Sequence, residues 1–292
     1  MSRLRPCTLD GPAGLLRQNC TTPCGPAGPA RGGVDGVNEL PALFISHGAP
    51  DLILTKEPAY QALVHIGQQW PAPEGIIAIS AHWQAEEFTL GTAEQFSTIH
   101  DFGGFPADLY QLTYPAKGSR RLADQCGRAL KSDGIAFTED PQRGLDHGAW
   151  MPLMISWPQA DIPILPLSLK RGASLREYLQ LGRALAPLRH QGILLIASGA
   201  VTHNLGTMRA PGSPADPWSI EFAEWLRGKL ETAQTGALLD YRKRARHARL
   251  AHPTTEHFDP LLIAYGSGEE RPGIRLHQSL VYGNIAMDSY AF

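Results

Sequence analysis

No stretch of this sequence stays apolar for long enough to span a bilayer, and its start, MSRLRPCTLDGPAGLLRQNC, lacks the continuous apolar core of a secretory signal. A cytoplasmic location is expected, with no membrane partner. Basic residues are not in excess: 26 Lys and Arg stand against 28 Asp and Glu, a formal net charge of −2. That balance offers no electrostatic footprint for nucleic acid. Cysteine is scarce. Four occur, at 7, 20, 24 and 126, and only Cys126 sits where the chain shows a folding pattern, so no disulfide framework is expected. A metal clip from Cys7, Cys20 and Cys24 lacks an obvious fourth ligand, and free thiols are the simpler reading. Also missing, in any supporting context, are GxGxxG, Walker, HExxH and GxSxG signatures. The serine of ASGAVTH follows an apolar run but lacks the spacing of a nucleophile elbow, which argues against a Ser/His hydrolase. What remains is a protein that works on small molecules.

What is present supports a sizeable core: 292 residues, 43% hydrophobic and 18% charged. Residues 1–38 are rich in Gly, Pro, Thr and Arg without helical or strand periodicity, the composition of a disordered extension. From residue 39 to 292 short aliphatic runs alternate with longer amphipathic stretches and no linker interrupts them, an α/β pattern in one domain. Strands are expected over Ala42 to Ser46, Ile76 to Ser80, Ile162 to Ser168 and Ile193 to Ser198, apolar enough to be covered on both faces. Helices are expected over Pro58 to Gln69, Ser119 to Asp133, Ser174 to Leu188, Ser219 to Thr232 and Pro260 to Tyr265, the last stopped by Gly266.

The chain carries eleven histidines. His65 falls on an amphipathic helix, and His190, His247 and His277 lie in polar, Arg-containing surroundings where solvent exposure explains them. His47, in FISHGAP, His82, in IAISAHW, and His203, in IASGAVTHN, differ, because each follows the carboxyl end of an expected core strand. In open α/β sheets the ligand crevice lies outside those ends, so three imidazoles would converge on one edge. Gly48 allows a tight turn after His47, and Pro50 stops the strand. Two further segments place chemistry nearby: RGLDHGAWMPL with Asp146 and His147, and HPTTEHFDPLL with His252, Glu256 and His257 at the mouth of a helix. Neutral imidazoles suit first-row divalent metals, and catalytic sites use three protein ligands with further positions open. Asp146 is a candidate for fixing the tautomer of a neighbouring ring. HDFGGFP reads as a loop that could line an aromatic pocket with Phe102, Phe105 and Tyr110, with loop packing the alternative for these rings; no substrate-binding residue is assigned, His100 included.

Seven segments in order, PALFISHGAPDLIL, IAISAHWQ, IHDFGGFPADLYQLTYPA, RGLDHGAWMPL, ASGAVTHNL, HPTTEHFDPLLIAYGSG and AMDSYAF, resemble the landmarks of the DOPA dioxygenase-like group of class III extradiol ring-cleaving dioxygenases. The likeness runs from about residue 40 to the C-terminus. It implies a single three-layer α/β/α domain with a central mostly parallel or mixed sheet holding one non-haem divalent metal ion. It implies His47, His82 and His257 as metal ligands, with His252 the competing third ligand, and His147 and His203 as catalytic residues beside the metal. By its place after a strand end alone, His203 is instead expected on the metal. The better-known class III enzymes use two histidines and a glutamate, whereas here a histidine stands in the third place with Glu256 beside it. The metal is then Fe(II) for dioxygenase activity or Zn(II), as found in members with three histidines. The implied reaction is cleavage of a catechol, L-DOPA or a related diol, with O2. The alternative is a zinc-dependent hydrolase in which the same histidines activate water.

Overall fold

The computed structural model describes residues 39–292; the expectations for residues 1–38, including the three cysteines there, lie outside them. Ten strands and ten α-helices follow in chain order. The strands are β1 (Ala42–Ser46), β2 (Gly75–Ala85), β3 (Phe88–Gly91), β4 (Phe137–Asp140), β5 (Ile164–Lys170), β6 (Ile193–Gly199), β7 (Ile274–His277), β8 (Leu280–Val281), β9 (Ile285–Ala286) and β10 (Ser289–Ala291). The helices are α1 (Leu52–Thr55), α2 (Pro58–Gln69), α3 (Arg120–Ser132), α4 (His147–Ser156), α5 (Leu175–Arg189), α6 (Pro217–Glu231), α7 (Thr235–Leu239), α8 (Tyr241–Arg244), α9 (Ala248–Ala251) and α10 (Asp259–Ser267).

Eight strands form one mixed sheet in the order β4-β3-β5-β2-β6-β1-β10-β7. Its centre, β5-β2-β6-β1, is all parallel, and antiparallel pairing is confined to the flanks, at β3 against β5, β10 against β1 and β7 against β10. Parallel strands are covered on both faces, and alternate residues build the two halves of the core. Phe44, Ile77, Leu165 and Leu195 point into the layer of α3, α5, α6 and α10. Leu43, Ile76, Ile164 and Leu194 point the other way, toward α1, α2 and α4. The result is a three-layer α/β/α fold.

Local chemistry sets the helix starts. The Ser119 hydroxyl accepts from Leu122 N at the start of α3, and Ser174 with Glu177 makes a capping box at α5. Pro58 and Pro217 stand in first turns, where a missing N–H costs nothing. The four core strands and five long helices lie close to their expected spans, with two differences. Gly266 does not stop α10, which runs on to Ser267. A β-carbon at Gly266 would strike the Leu179 carbonyl of α5, and one at Gly182 of α5 would strike the Ile263 carbonyl of α10. Gly266 therefore serves close helix packing, not termination. The second difference is β2, which continues through His82 to Ala85.

Candidate active site

That continuation carries a bulge. β2 pairs regularly with β5 up to Ile79 opposite Leu167 and resumes at Gln84 opposite Leu169, so it advances five residues while its partner advances two. His82 sits in the unpaired stretch, and such bulges re-aim side chains beside active sites. His82 thus lies within its strand, whereas His47 is the first residue after β1, its N–H donating to Gly199 O at 3.1 Å. Gly48 then turns with φ +68°, a left-handed conformation that glycine adopts without strain, and a β-carbon there would press on the end of the Met287 side chain. At the end of β6 the Ala200 N–H donates to His257 O at 2.9 Å. A side chain at Gly199 would collide with that carbonyl, so the strand end presses against the segment that leads into α10.

These three backbones bring three imidazoles to one point. His82 Nε2 lies 3.1 Å from His47 Nε2 and 3.3 Å from His257 Nε2. Each Nδ1 has its own partner: the Ser198 hydroxyl for His47 at 2.9 Å, the Glu256 carboxylate for His257 at 3.0 Å and Asp101 for His82 at 3.6 Å. An Nδ1–H donating outward leaves each Nε2 lone pair facing the other two. No proton relieves this at neutral pH. Burial pushes the His82 pKa down to about 4 and holds His47 well below the ordinary imidazole range, and it lowers His257 too, against the pull of Glu256. Three converging lone pairs are a donor set that could hold a divalent cation. Ligand bonds of about 2.0–2.1 Å separate neighbouring nitrogens by roughly 3 Å, as observed.

His147 opens α4, and the carboxylate that caps this helix comes from another segment. Asp101 Oδ1 accepts from both the backbone N–H and the Nδ1–H of His147, at 2.9 and 3.0 Å, while Oδ2 faces His82. Burial would raise the Asp101 pKa, but the His147 hydrogen bonds hold it down to about 2. Asp101 is thus an anion shared by two imidazoles, and nothing in its neighbourhood HDFGGFP marks it beyond its place beside His100. Asp146, the sequence candidate for that task, instead accepts from the Ser80 hydroxyl at 2.5 Å and pairs with Arg143 at 3.0 Å. His203 stacks on His257 with ring centroids 3.4 Å apart and planes within 7°, and burial lowers its pKa. It lies beside the three-nitrogen point, not at it. His252 turns away, donating Nε2–H to Ala200 O at 3.1 Å within a cage of Phe222, Tyr241 and Phe258. Glu256 accepts from His257 and from the Thr254 hydroxyl, supporting the imidazole from behind.

The imidazoles of His47, His82, His147 and His203 line a cavity of about 370 Å³. Phe102 and Phe105 form part of its wall, edge to face at 5.6 Å. Tyr110 lies behind Phe102, and His100 is held by Leu112 O at 3.0 Å, so neither lines the cavity.

Residues 43–292 match the family described as the catalytic LigB subunit of aromatic ring-opening dioxygenase. The chain belongs to this family. A protein of Beta vulgaris named 4,5-DOPA dioxygenase extradiol is 36% identical over 270 residues, which cover 89% of this chain and 98% of the relative. One of the same name from Escherichia coli K12 is 35% identical over 257 residues, 85% of this chain and 93% of the relative. The crystal structure of an uncharacterised Escherichia coli K12 protein superposes with a TM-score of 0.73 at 31% identity, covering 87% of this chain and 99% of the other. This member is therefore an extradiol ring-opening dioxygenase, of a metal-dependent family, with a three-histidine cluster able to bind a metal. Among the described residues no helix is long and apolar enough to cross a membrane.

Proposed function

We propose that this enzyme opens a catechol ring with O2, using one non-haem metal ion held by His47, His82 and His257, with His203 and His147 as catalytic residues. The observation that carries the reading is the meeting of three neutral Nε2 atoms at a cavity lined by two further imidazoles. Fe(II) held by that set would supply the redox chemistry that Zn(II) would not. One ring C–C bond next to the diol breaks and both oxygen atoms stay in the product, so catechol is oxidised, O2 is reduced and no further reductant is needed.

The protein groups manage protons and position. His203 is neutral at physiological pH because burial lowers its pKa, so it can take a proton from an incoming hydroxyl and return it as the ring opens. His257 stacking fixes its plane. His147 keeps its Nδ1 proton on Asp101, which leaves Nε2 as an acceptor for substrate or oxygen-derived hydroxyl. Phe102 and Phe105 hold the aromatic ring and exclude water.

The test is anaerobic loading of the full chain with Fe(II), then addition of catechols with O2, following oxygen uptake and a yellow ring-opened product. Uptake by the Fe(II) form and none by the Zn(II) form is expected. Ester hydrolysis by the Zn(II) form with no uptake for any catechol would instead favour the hydrolase. His82→Ala should lose stoichiometric metal, and a full site by metal analysis would remove it from the ligand set. His203→Ala should keep its metal yet lose about 10²–10⁴-fold in turnover, the range of a general acid–base group; an unchanged rate would count against that role.

A further inference from the structure

The hairpin of β8 and β9 breaks with local turn chemistry at the edge of the cavity. Its strands pair Leu280 with Ala286 and Val281 with Ile285, and the Asn284 N–H closes the turn on Val281 O at 3.3 Å. The two residues at the tip are left-handed, Tyr282 at φ +53° and Gly283 at φ +76°. Two positive φ values in succession belong to the type I′ turn, which selects Asn-Gly or Asp-Gly. Glycine stands in the second place, as that turn requires. A tyrosine stands in the first, where a bulky side chain is strained. The surroundings hold it there: Tyr282 O accepts from the Arg209 N–H at 2.9 Å, Gly283 O from the Asp216 N–H at 2.7 Å, and the Asn284 side chain donates to Asn204 O at 2.8 Å. Strain that neighbouring structure over-determines is a mark of functional sites.

Tyr282 lines the cavity together with Phe102 and Phe105. Among the described residues its ring stacks on neither of them, whereas those two lie edge to face at 5.6 Å. Its hydroxyl donates to the Asp51 carboxylate, 3.2 and 3.3 Å from the two oxygens, across 231 positions of chain. Burial and that carboxylate push the phenol pKa up to about 12, so the hydroxyl stays a donor and fixes the ring. An asparagine would satisfy the turn; the aromatic ring is what the cavity gains from a tyrosine. We infer that Tyr282 is a specificity-determining residue for aromatic diols: its ring, tethered by Asp51, is a wall of the cavity on which the substrate ring packs. This role deepens the extradiol reading above and rests on it.

Loading the full chain with Zn(II), which carries no redox chemistry, separates binding from turnover. Two chelators then make the test: 4-nitrocatechol, which carries its two oxygens on an aromatic ring, and acetohydroxamate, which offers two oxygens and no ring. Asparagine tolerates a left-handed turn position, so Tyr282→Asn should fold. Calorimetry is expected to show its dissociation constant for 4-nitrocatechol raised by roughly tenfold, with acetohydroxamate binding and zinc content unchanged. Tyr282→Phe keeps the ring and loses only the bond to Asp51, and should stay within roughly threefold of wild type for both chelators. Wild-type affinity for 4-nitrocatechol in Tyr282→Asn would overturn the inference. So would an equal loss for both chelators, the sign of a purely structural role, or a loss in Tyr282→Phe as large as in Tyr282→Asn, which would assign the effect to the hydroxyl. If the wild-type protein holds zinc and binds acetohydroxamate but not 4-nitrocatechol, the inference fails while the metal site stands; if it takes up no zinc, the reading beneath it fails as well.

Discussion

Asp101 is the residue on which the geometry of the site turns most. One carboxylate fixes the tautomer of His147 and faces the imidazole of His82, so it orients a proton-handling group and a ligand candidate together. Outer partners of this kind typically contribute about 10–100-fold to metal affinity or activity. Asp101→Ala is expected to lose turnover on that scale and to weaken metal retention against a competing chelator. Asp101→Asn should recover part of the turnover, because its carbonyl oxygen can still accept from His147. Wild-type turnover and retention in the alanine variant would remove Asp101 from this role. The residue escaped sequence reasoning because its contact with His147 spans 46 positions, and one aspartate in a loop looks like any solvated carboxylate. The histidines were legible for the opposite reason: His47, His82 and His203 stand at or near the ends of strands that can be read directly. His257 against His252 was not decidable by spacing. Both histidines meet the end of β6 at Ala200, His257 through its carbonyl and His252 through its ring, and only the His257 ring reaches His82, Nε2 to Nε2 at 3.3 Å.

At the level of elements, the parallel strands were readable because burial on both faces demands continuous aliphatic runs. The flanking strands were not. β3, β4, β7 and β10 span four residues or fewer, and β4 (FTED) and β7 (IRLH) carry too many polar residues to show an apolar run. The helix α4 is buried almost all round and contains Pro152, so it lacks the amphipathic stripe by which helices are recognised. The same crowding makes the glycines of α5 and α10 structural. Gly266→Ala should cost about 1–3 kcal/mol in chemical denaturation, since its β-carbon must displace the backbone of α5. Gly228, within α6, has open space around its Cα. Gly228→Ala should instead stabilise by about 0.5–1 kcal/mol, the difference in helix propensity. Equal effects from the two substitutions would refute this account of the helix packing.

For the molecule as a whole, the antiparallel closing segment sets a pH limit on stability. Asp288 is buried between the last strands and α6. Burial pushes its pKa up to about 6, with Glu224 acting in the same direction, and Arg275, 3.4 Å away, only partly compensates. The folded state therefore binds this proton more tightly than the unfolded chain, where the carboxyl titrates near 3.8. The stabilisation is fully present below that lower value and is lost as pH rises through about 6. Above it, folding keeps a buried carboxylate ionised. Asp288→Asn removes the titration while keeping the size of the side chain. Its stability relative to wild type should rise between pH 4 and pH 7 by an amount on the order of 2–3 kcal/mol, following the linkage of about 1.4 kcal/mol per pKa unit. Urea denaturation of both proteins across that range measures the difference. A constant offset would mean that Asp288 does not titrate there, and a fall would mean that the pair with Arg275 outweighs the burial of the charge.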